Sequence, residues 1–345
     1  MATIREVAKK AGVSIAAVSR ILNMDETLSV SNDTKRRVFQ AADELKYVKK
    51  AGRTDKEGKR AEKRPLVGII NRIDLDRELE DVYFMSIRIA IEEKLSECGY
   101  RVLNINPNST SIKHVDQKFD GCIVIGKIEG KEADEILECC ENVVIVDNRY
   151  NIADADYVGV DLSNAIENVM DYLYKNGHRK IAIIADTLPE DADSHDRKLD
   201  ARIRGYVSYV HEKGIYDERL FIKVPYFSTV NAYEALKKKF EEGIIPTAII
   251  SCNDSMASGA YKAINEAGYV IGTDISVVGF NDQPSAEYLI PSLTTVRFPV
   301  RSIGYEAVNI IREKLTEGRE YKKVVMLKSE LIVRESTDVA IDGIR

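Results

Sequence analysis

The chain has 345 residues, 44% of them apolar and 31% charged, with a formal net charge of −6. That length exceeds one ordinary hydrophobic core and calls for two or three domains of a soluble globular protein. No stretch approaches 18 uncharged apolar residues, and the opening MATIREVAKK is charged where a signal peptide needs an apolar run, so neither a membrane span nor an export signal is expected and the protein is expected to be cytoplasmic.

The cysteines, Cys98, Cys122, Cys139, Cys140 and Cys252, are odd in number and contain no C-x-x-C pair. They read as reduced thiols. His114, His178, His195 and His211 are scattered without ligand spacing, so no metal, cofactor or catalytic residue is expected. Charge is unevenly divided. Residues 1–64 hold 16 Lys and Arg against 9 Asp and Glu in a chain that is acidic overall, and such a basic block is suited to a polyanion.

In chain order, Thr3 with Glu6 makes a capping box, and Ile4, Val7, Ala8 and Ala11 form one apolar stripe. Gly12 stops that helix and Ser14 caps the next, which turns Val18, Ile21 and Leu22 inward. After the polar NMDETLSV, Ser31 caps a third helix with Val38, Ala41, Ala42 and Leu45 on its inner side. The spacing predicts a helix-turn-helix headpiece over residues 1–48. On its second helix the outward face is Ile15, Ala16, Ser19 and Arg20. Arg there can bond a guanine bidentately and small apolar groups can touch a thymine methyl; the competing account is a three-helix bundle whose Ile15 meets a protein partner.

Residues 49–64, KKAGRTDKEGKRAEKR, are too polar to pack a core and read as a basic linker. From Leu66 the period changes. LVGII, RVLNIN, GCIVIG, VVIVD, KIAIIA, TAIISC and ISVVGF alternate with amphipathic stretches such as TVNAYEALKKKFEEG. Apolar strands separated by helices predict parallel sheets covered on both faces. The span 65–345 suits two lobes, an N-lobe of about 65–160 plus 294–322 and a C-lobe of about 161–293 plus 323–345, with a crevice at the strand C-termini. GCIVIGKI, residues 121–128, has phosphate-loop spacing, but Ile128 stands where Ser or Thr is required and CIVI reads as a strand. No G-x-G-x-x-G follows a strand and no G-x-S-x-G occurs, so an enzyme is not expected.

Thr3 to Asn23, TIREVAKKAGVSIAAVSRILN, resembles the headpiece of the LacI/GalR family of bacterial repressors. NGHRKIAII (176–184), CNDSMASGAYKAINEAGY (252–269), DISVVGFND (274–282) and PSLTTVRF (291–298) resemble the same family in the same order. The resemblance implies an α/β chain: a helix-turn-helix headpiece and a two-lobed periplasmic-binding-protein-like (type I) core, assembled as a homodimer on double-stranded operator DNA. It implies that Ile15, Ala16 and Arg20 read bases while Thr3, Ser14, Ser19, Asn23, Ser31 and Thr34 bond phosphates. Capping alone also accounts for several of these residues.

The resemblance places effector contacts at Tyr83, Phe84, Asp147, Arg202, Phe227, Asn253 and Asp282, with Asn281 adjacent. Asp, Asn and Arg suit paired hydrogen bonds to vicinal hydroxyls and an aromatic face suits a pyranose, so a sugar effector is expected. Each position has a plainer account: Asn253 and Asp254 could cap a helix beginning at Ser255, Asp282 could close a turn before Pro284, and Phe227 could be core. Residues 23–47 and 78–100 are most similar to repressors of galactose and β-galactoside utilisation. A sugar inducer that releases the operator is expected, the alternative being a different effector, another sugar or a purine-type corepressor, that strengthens binding.

Family members form an apolar hinge helix after the headpiece that wedges a Leu into the minor groove. Here no Leu lies between Leu45 and Leu66, and Gly52 and Gly58 oppose a helix. Lys49, Lys50, Arg53, Lys59 and Arg60 are expected instead to follow phosphates as a basic tether. The final VVMLKSELIVRESTDVAIDGIR carries no leucine heptad, which favours a dimer over a coiled-coil tetramer.

Overall fold

A computed structural model describes residues 4–22, 34, 37–38, 41, 64–105, 118–128, 131–147, 155–186 and 200–340. The chain divides into two units, Met1–Glu62 and Lys63–Arg345. In the first, α1 (Ile4–Ala11) and α2 (Ile15–Leu22) are joined by a tight turn, and residues 34, 37, 38 and 41 are also helical. Gly12 takes φ +68° in the turn, a conformation that would strain a side chain there. Val7, Ala8, Ala11, Val18, Ile21, Val38 and Ala41 pack into one small core, with Val13 against it.

The second unit holds two lobes, each a six-stranded sheet. The first lobe contains β1 (Leu66–Asn71), α3 (Leu75–Glu80), α4 (Val82–Glu97), β2 (Arg101–Ile105), β3 (Gly121–Ile125), α5 (Lys131–Cys139), β4 (Val143–Val146) and β5 (Asp156–Val160). The second contains α6 (Leu162–Lys175), β6 (Ile181–Ala185), α7 (Ala201–Glu212), β7 (Phe221–Lys223), α8 (Thr229–Glu241), β8 (Ala248–Ser251), α9 (Asp254–Glu266), β9 (Ser276–Asn281) and β10 (Thr294–Arg297). Then α10 (Val300–Glu317) packs on α4, β11 (Val324–Leu327) joins the first sheet and β12 (Glu330–Ile332) joins the second.

Strand order is β2-β1-β3-β4-β5-β11 in one sheet and β7-β6-β8-β9-β10-β12 in the other. The two lobes therefore share one doubly wound plan, with order reversing beside the first strand of each. The first sheet is wholly parallel, and the second is parallel except at one edge, where β12 runs antiparallel to β10, Thr295 opposite Ile332, so the expected parallel sheets are present with one antiparallel edge strand. The strands are apolar on both sides because both faces are covered. Ile69 and Ile123 face one core while Ile70 and Val124 face a second that includes Ile136 of α5 and Cys140. The phosphate-loop spacing at 121–128 is strand β3, buried throughout Gly121–Ile125.

The lobe limits differ from the sequence reading. Strand β10 pairs with β9 and belongs to the second lobe, while β11 pairs with β5 and belongs to the first. The chain thus changes lobe near 161, at 298–299 and at 328–329. The second exchange is fixed by Pro299, which stands at the start of α10 and cannot donate to a continuing strand.

Candidate functional site

In the headpiece, Ser14 accepts a hydrogen bond from the Ala17 backbone N–H (3.1 Å), which caps α2 as expected and leaves Ile15 45% exposed. Arg37 donates to the Thr34 hydroxyl at 3.5 Å. Thr3, Asn23 and Ser31 lie outside the described residues, as do the side chains of Ala16, Ser19 and Arg20 and the linker up to residue 63.

In the larger unit the expected effector residues fall at strand C-termini and the helices that follow. Arg202, in the first turn of α7, is buried beside buried Asp200. Its Nε and Nη2 donate to the two Asp200 carboxylate oxygens at 3.0 and 2.7 Å, and its Nη1 donates to the Cys252 carbonyl. Asp200 also caps α7, accepting from the Arg202 backbone N–H at 2.9 Å. The guanidinium lies over the rings of Phe280 (5.4 Å) and Phe227 (5.5 Å). Burial opposes the charge, but the Asp200 carboxylate outweighs it and the Arg202 pKa is raised. Three of the five guanidinium N–H groups are committed in this way, which holds the planar fork rigid.

Tyr83, in the first turn of α4, is buried; burial first, and then hydrogen-bonded Asp147, push its pKa well above the phenol range. Asp147 has φ +51°, a strained value of the kind concentrated at binding sites. Phe84 is half-buried and edge-on to Tyr83 at 5.0 Å. Phe227 is half-buried and packs on the core as well as on Arg202, so its plainer account holds alongside the site. Asn253 caps α9, accepting from the Met256 backbone N–H at 2.8 Å, and the helix begins at Asp254 rather than Ser255.

Asp282 does not join this group. Its carboxylate is taken by Arg297 Nε (2.6 Å) and Arg334 Nη2 (2.8 Å), tying β9 to β10 and the C-terminal segment. The strand pleat and the positive φ of Asn281 and Asp282 turn neighbouring side chains apart, and Asn281 reaches Asp81 instead. Asp81, Asp200 and Gln283 were missed from sequence. A helix-capping Asp two residues before Arg202 was the available signal for Asp200.

Asp254 is fully buried, its carboxylate accepting from the Thr295 hydroxyl (2.6 Å) and the Gln283 backbone N–H (2.7 Å). Burial, abetted by the Asp81 and Asp282 carboxylates, pushes its pKa from 3.8 up to about 7 despite those donors. The native state therefore holds this proton where the unfolded chain has lost it, and stability falls as pH rises between about 4 and 7. The contribution is on the order of 4 kcal/mol across that window. Thermal melts from pH 4.5 to 8 should show that decline, and Asp254→Asn should flatten it.

Two family models match the chain: bacterial regulatory proteins of the lacI family over residues 3–50, and a periplasmic binding protein-like domain over 170–337. The helix-turn-helix transcriptional regulator GalR of Streptococcus thermophilus is 32% identical over 338 residues, covering 98% of this chain and all of the relative. The chain belongs to the LacI family. The helix-turn-helix transcriptional repressor MelR of Bacillus subtilis strain 168 is likewise 32% identical, with 97% of each chain covered. In fold, this LacI-family protein is similar to a transcriptional regulator CelR–cellobiose complex (TM-score 0.69, 23% identity, 97% and 100% covered). It is similar too to a lac repressor dimer bound to operator and the anti-inducer ONPF (TM-score 0.68, 24% identity, 98% and 99% covered). It is a DNA-binding transcriptional regulator, not an enzyme. Among the described residues no helix is long and apolar enough to cross a membrane.

Proposed function

We propose that this regulator is a cytoplasmic, homodimeric repressor of a galactose or β-galactoside operon, released from its operator when a sugar occupies the cleft between the lobes. The observation that carries the reading is the Arg202–Asp200 fork, held between Phe227 and Phe280 beside the Tyr83–Asp147 pair. Rigid planar donors, acidic acceptors and aromatic faces are the complement of a polyhydroxylated ring. The galactose branch is favoured by residues 23–47 and 78–100 and by the kinship with GalR and MelR. Exposed Leu75, Leu79, Tyr288 and Ile290 supply apolar surface for a second copy. Ile15, Ala16 and Arg20 read bases; Thr3, Ser14, Ser19, Asn23, Ser31 and Thr34 bond phosphates; and the basic 49–64 segment tethers the headpiece along the backbone.

The test is operator binding by the purified protein at fixed salt with galactose, lactose or a purine. Galactose or lactose should lower operator affinity ~5- to 150-fold, a coupling of ~1–3 kcal/mol, and operator should lower sugar affinity by the same factor. Tighter binding with ligand would reverse the sign of the regulation. Arg20→Ala should cost about 1–3 kcal/mol at one base position and leave sugar affinity in the absence of DNA unchanged.

A further inference from the structure

At the N-terminus of α4 two consecutive acidic residues of the first lobe gather donors from four separate points of the second. The Asp81 carboxylate accepts from Asn253 Nδ2 (2.8 Å), Asn281 Nδ2 (3.1 Å) and Gln283 Nε2 (2.8 Å). The Glu80 carboxylate accepts from the Thr229 backbone N–H (2.8 Å), and its carbonyl accepts from the Ser255 hydroxyl (2.7 Å). The partners stand at the ends of β8 and β9 and the starts of α8 and α9, 149 to 202 residues along the chain. Every one of these bonds spans the two lobes.

Capping α4 does not explain this arrangement, because the cap uses one bond, Asp81 Oδ1 accepting from the Tyr83 backbone N–H at 3.1 Å. Three side-chain amides on one carboxylate are stronger than neutral pairs and can form only when the lobes are together. Asn253 is bound at both ends, its Oδ1 on α9 and its Nδ2 on Asp81, so the clasp also sets the direction of an expected effector residue. We propose that Asp81 is a positioning residue for the regulatory response: its carboxylate clasps the amides of Asn253, Asn281 and Gln283 and fixes how readily the lobes close on ligand. The inference rests on the reading of the cleft as a sugar site.

A ligand that selects the closed arrangement has an apparent affinity proportional to the fraction of closed molecules, and loses affinity as that fraction falls. Asp81→Asn keeps an oxygen for the Tyr83 N–H but removes the charge and one acceptor. Gln283→Glu sets a second carboxylate against Asp81. Each should weaken galactose binding about tenfold in calorimetry and widen the lobe separation in small-angle scattering of the sugar-free protein. The variant carrying both changes returns a carboxylate to one side and an amide to the other, which restores the 81–283 bond while the Asn253 and Asn281 amides still lack the charge, and should recover part of the lost affinity and compactness. A merely structural role would make the two losses add. Single variants matching the unaltered protein in both measurements, or a double variant no better than the weaker single, would overturn the clasp. If the unaltered protein binds no galactose, the sugar assignment fails, and the scattering series alone decides for or against Asp81.

Discussion

Arg202→Ala should abolish the sugar response of operator binding and lower the unfolding free energy of the core by about 3–5 kcal/mol. Both effects come from the same pair. The Asp200 carboxylate is 1% exposed and Arg202 supplies the opposite charge at 2.7 Å, so truncation takes the guanidinium away from a buried anion. Loss of response in that variant could then come from misfolding alone. Asp200→Asn combined with Arg202→Met separates the two causes. The amide keeps the cap on α7, no charge is stranded, and Met fills much of the space between Phe227 and Phe280, so most of the stability should return. Operator binding without sugar should match the unaltered protein while the sugar response stays absent. A double variant that still responds fully would remove Arg202 from the cleft's chemistry.

How far the sequence could be read follows from the range of the forces involved. GCIVI and IAIIA are wholly apolar because their strands are covered on both faces, so β3 and β6 could be placed from composition alone. Gly12 and Ser14 marked the turn and cap of the headpiece through local backbone chemistry. Where one residue of register decides the outcome, local pattern failed. Asn281 and Asp282 are adjacent polar residues at a strand end, and only the path of the backbone shows that the first faces Asp81 while the second is consumed by Arg297 and Arg334. The three-residue edge strand β12 carries no signal of its antiparallel direction. Asp81 reads from sequence as an ordinary helix cap, which it also is. Its partners arrive from across the fold, and nothing local announces them.

Gly259→Ala tests whether the packing beneath the cleft is as tight as the geometry requires. Gly259 lies within α9, so helix propensity alone predicts that Ala would stabilise by up to ~1 kcal/mol. The surroundings reverse that sign. A Cβ at 259 would occupy the place of the Thr229 carbonyl oxygen and stand 3.1 Å from the Tyr233 backbone nitrogen, and a helix backbone cannot give way as a side-chain tip can. Helices α8 and α9 must then move apart, at a cost of about 3 kcal/mol. The displacement would be felt at their N-termini, where Thr229, Asn253 and Ser255 bond to Glu80 and Asp81. Denaturant unfolding should therefore show a net loss of about 2 kcal/mol or more once the propensity gain is subtracted, accompanied by weaker galactose binding. Gly268→Ala is the control: it lies at φ +82° with open space around the added carbon, and should cost about 1 kcal/mol in backbone strain while leaving sugar affinity unchanged. A Gly259→Ala protein as stable as the original would mean that α8 and α9 separate without penalty, and the interface under the cleft would then be too soft to hold the Glu80 and Asp81 partners in register.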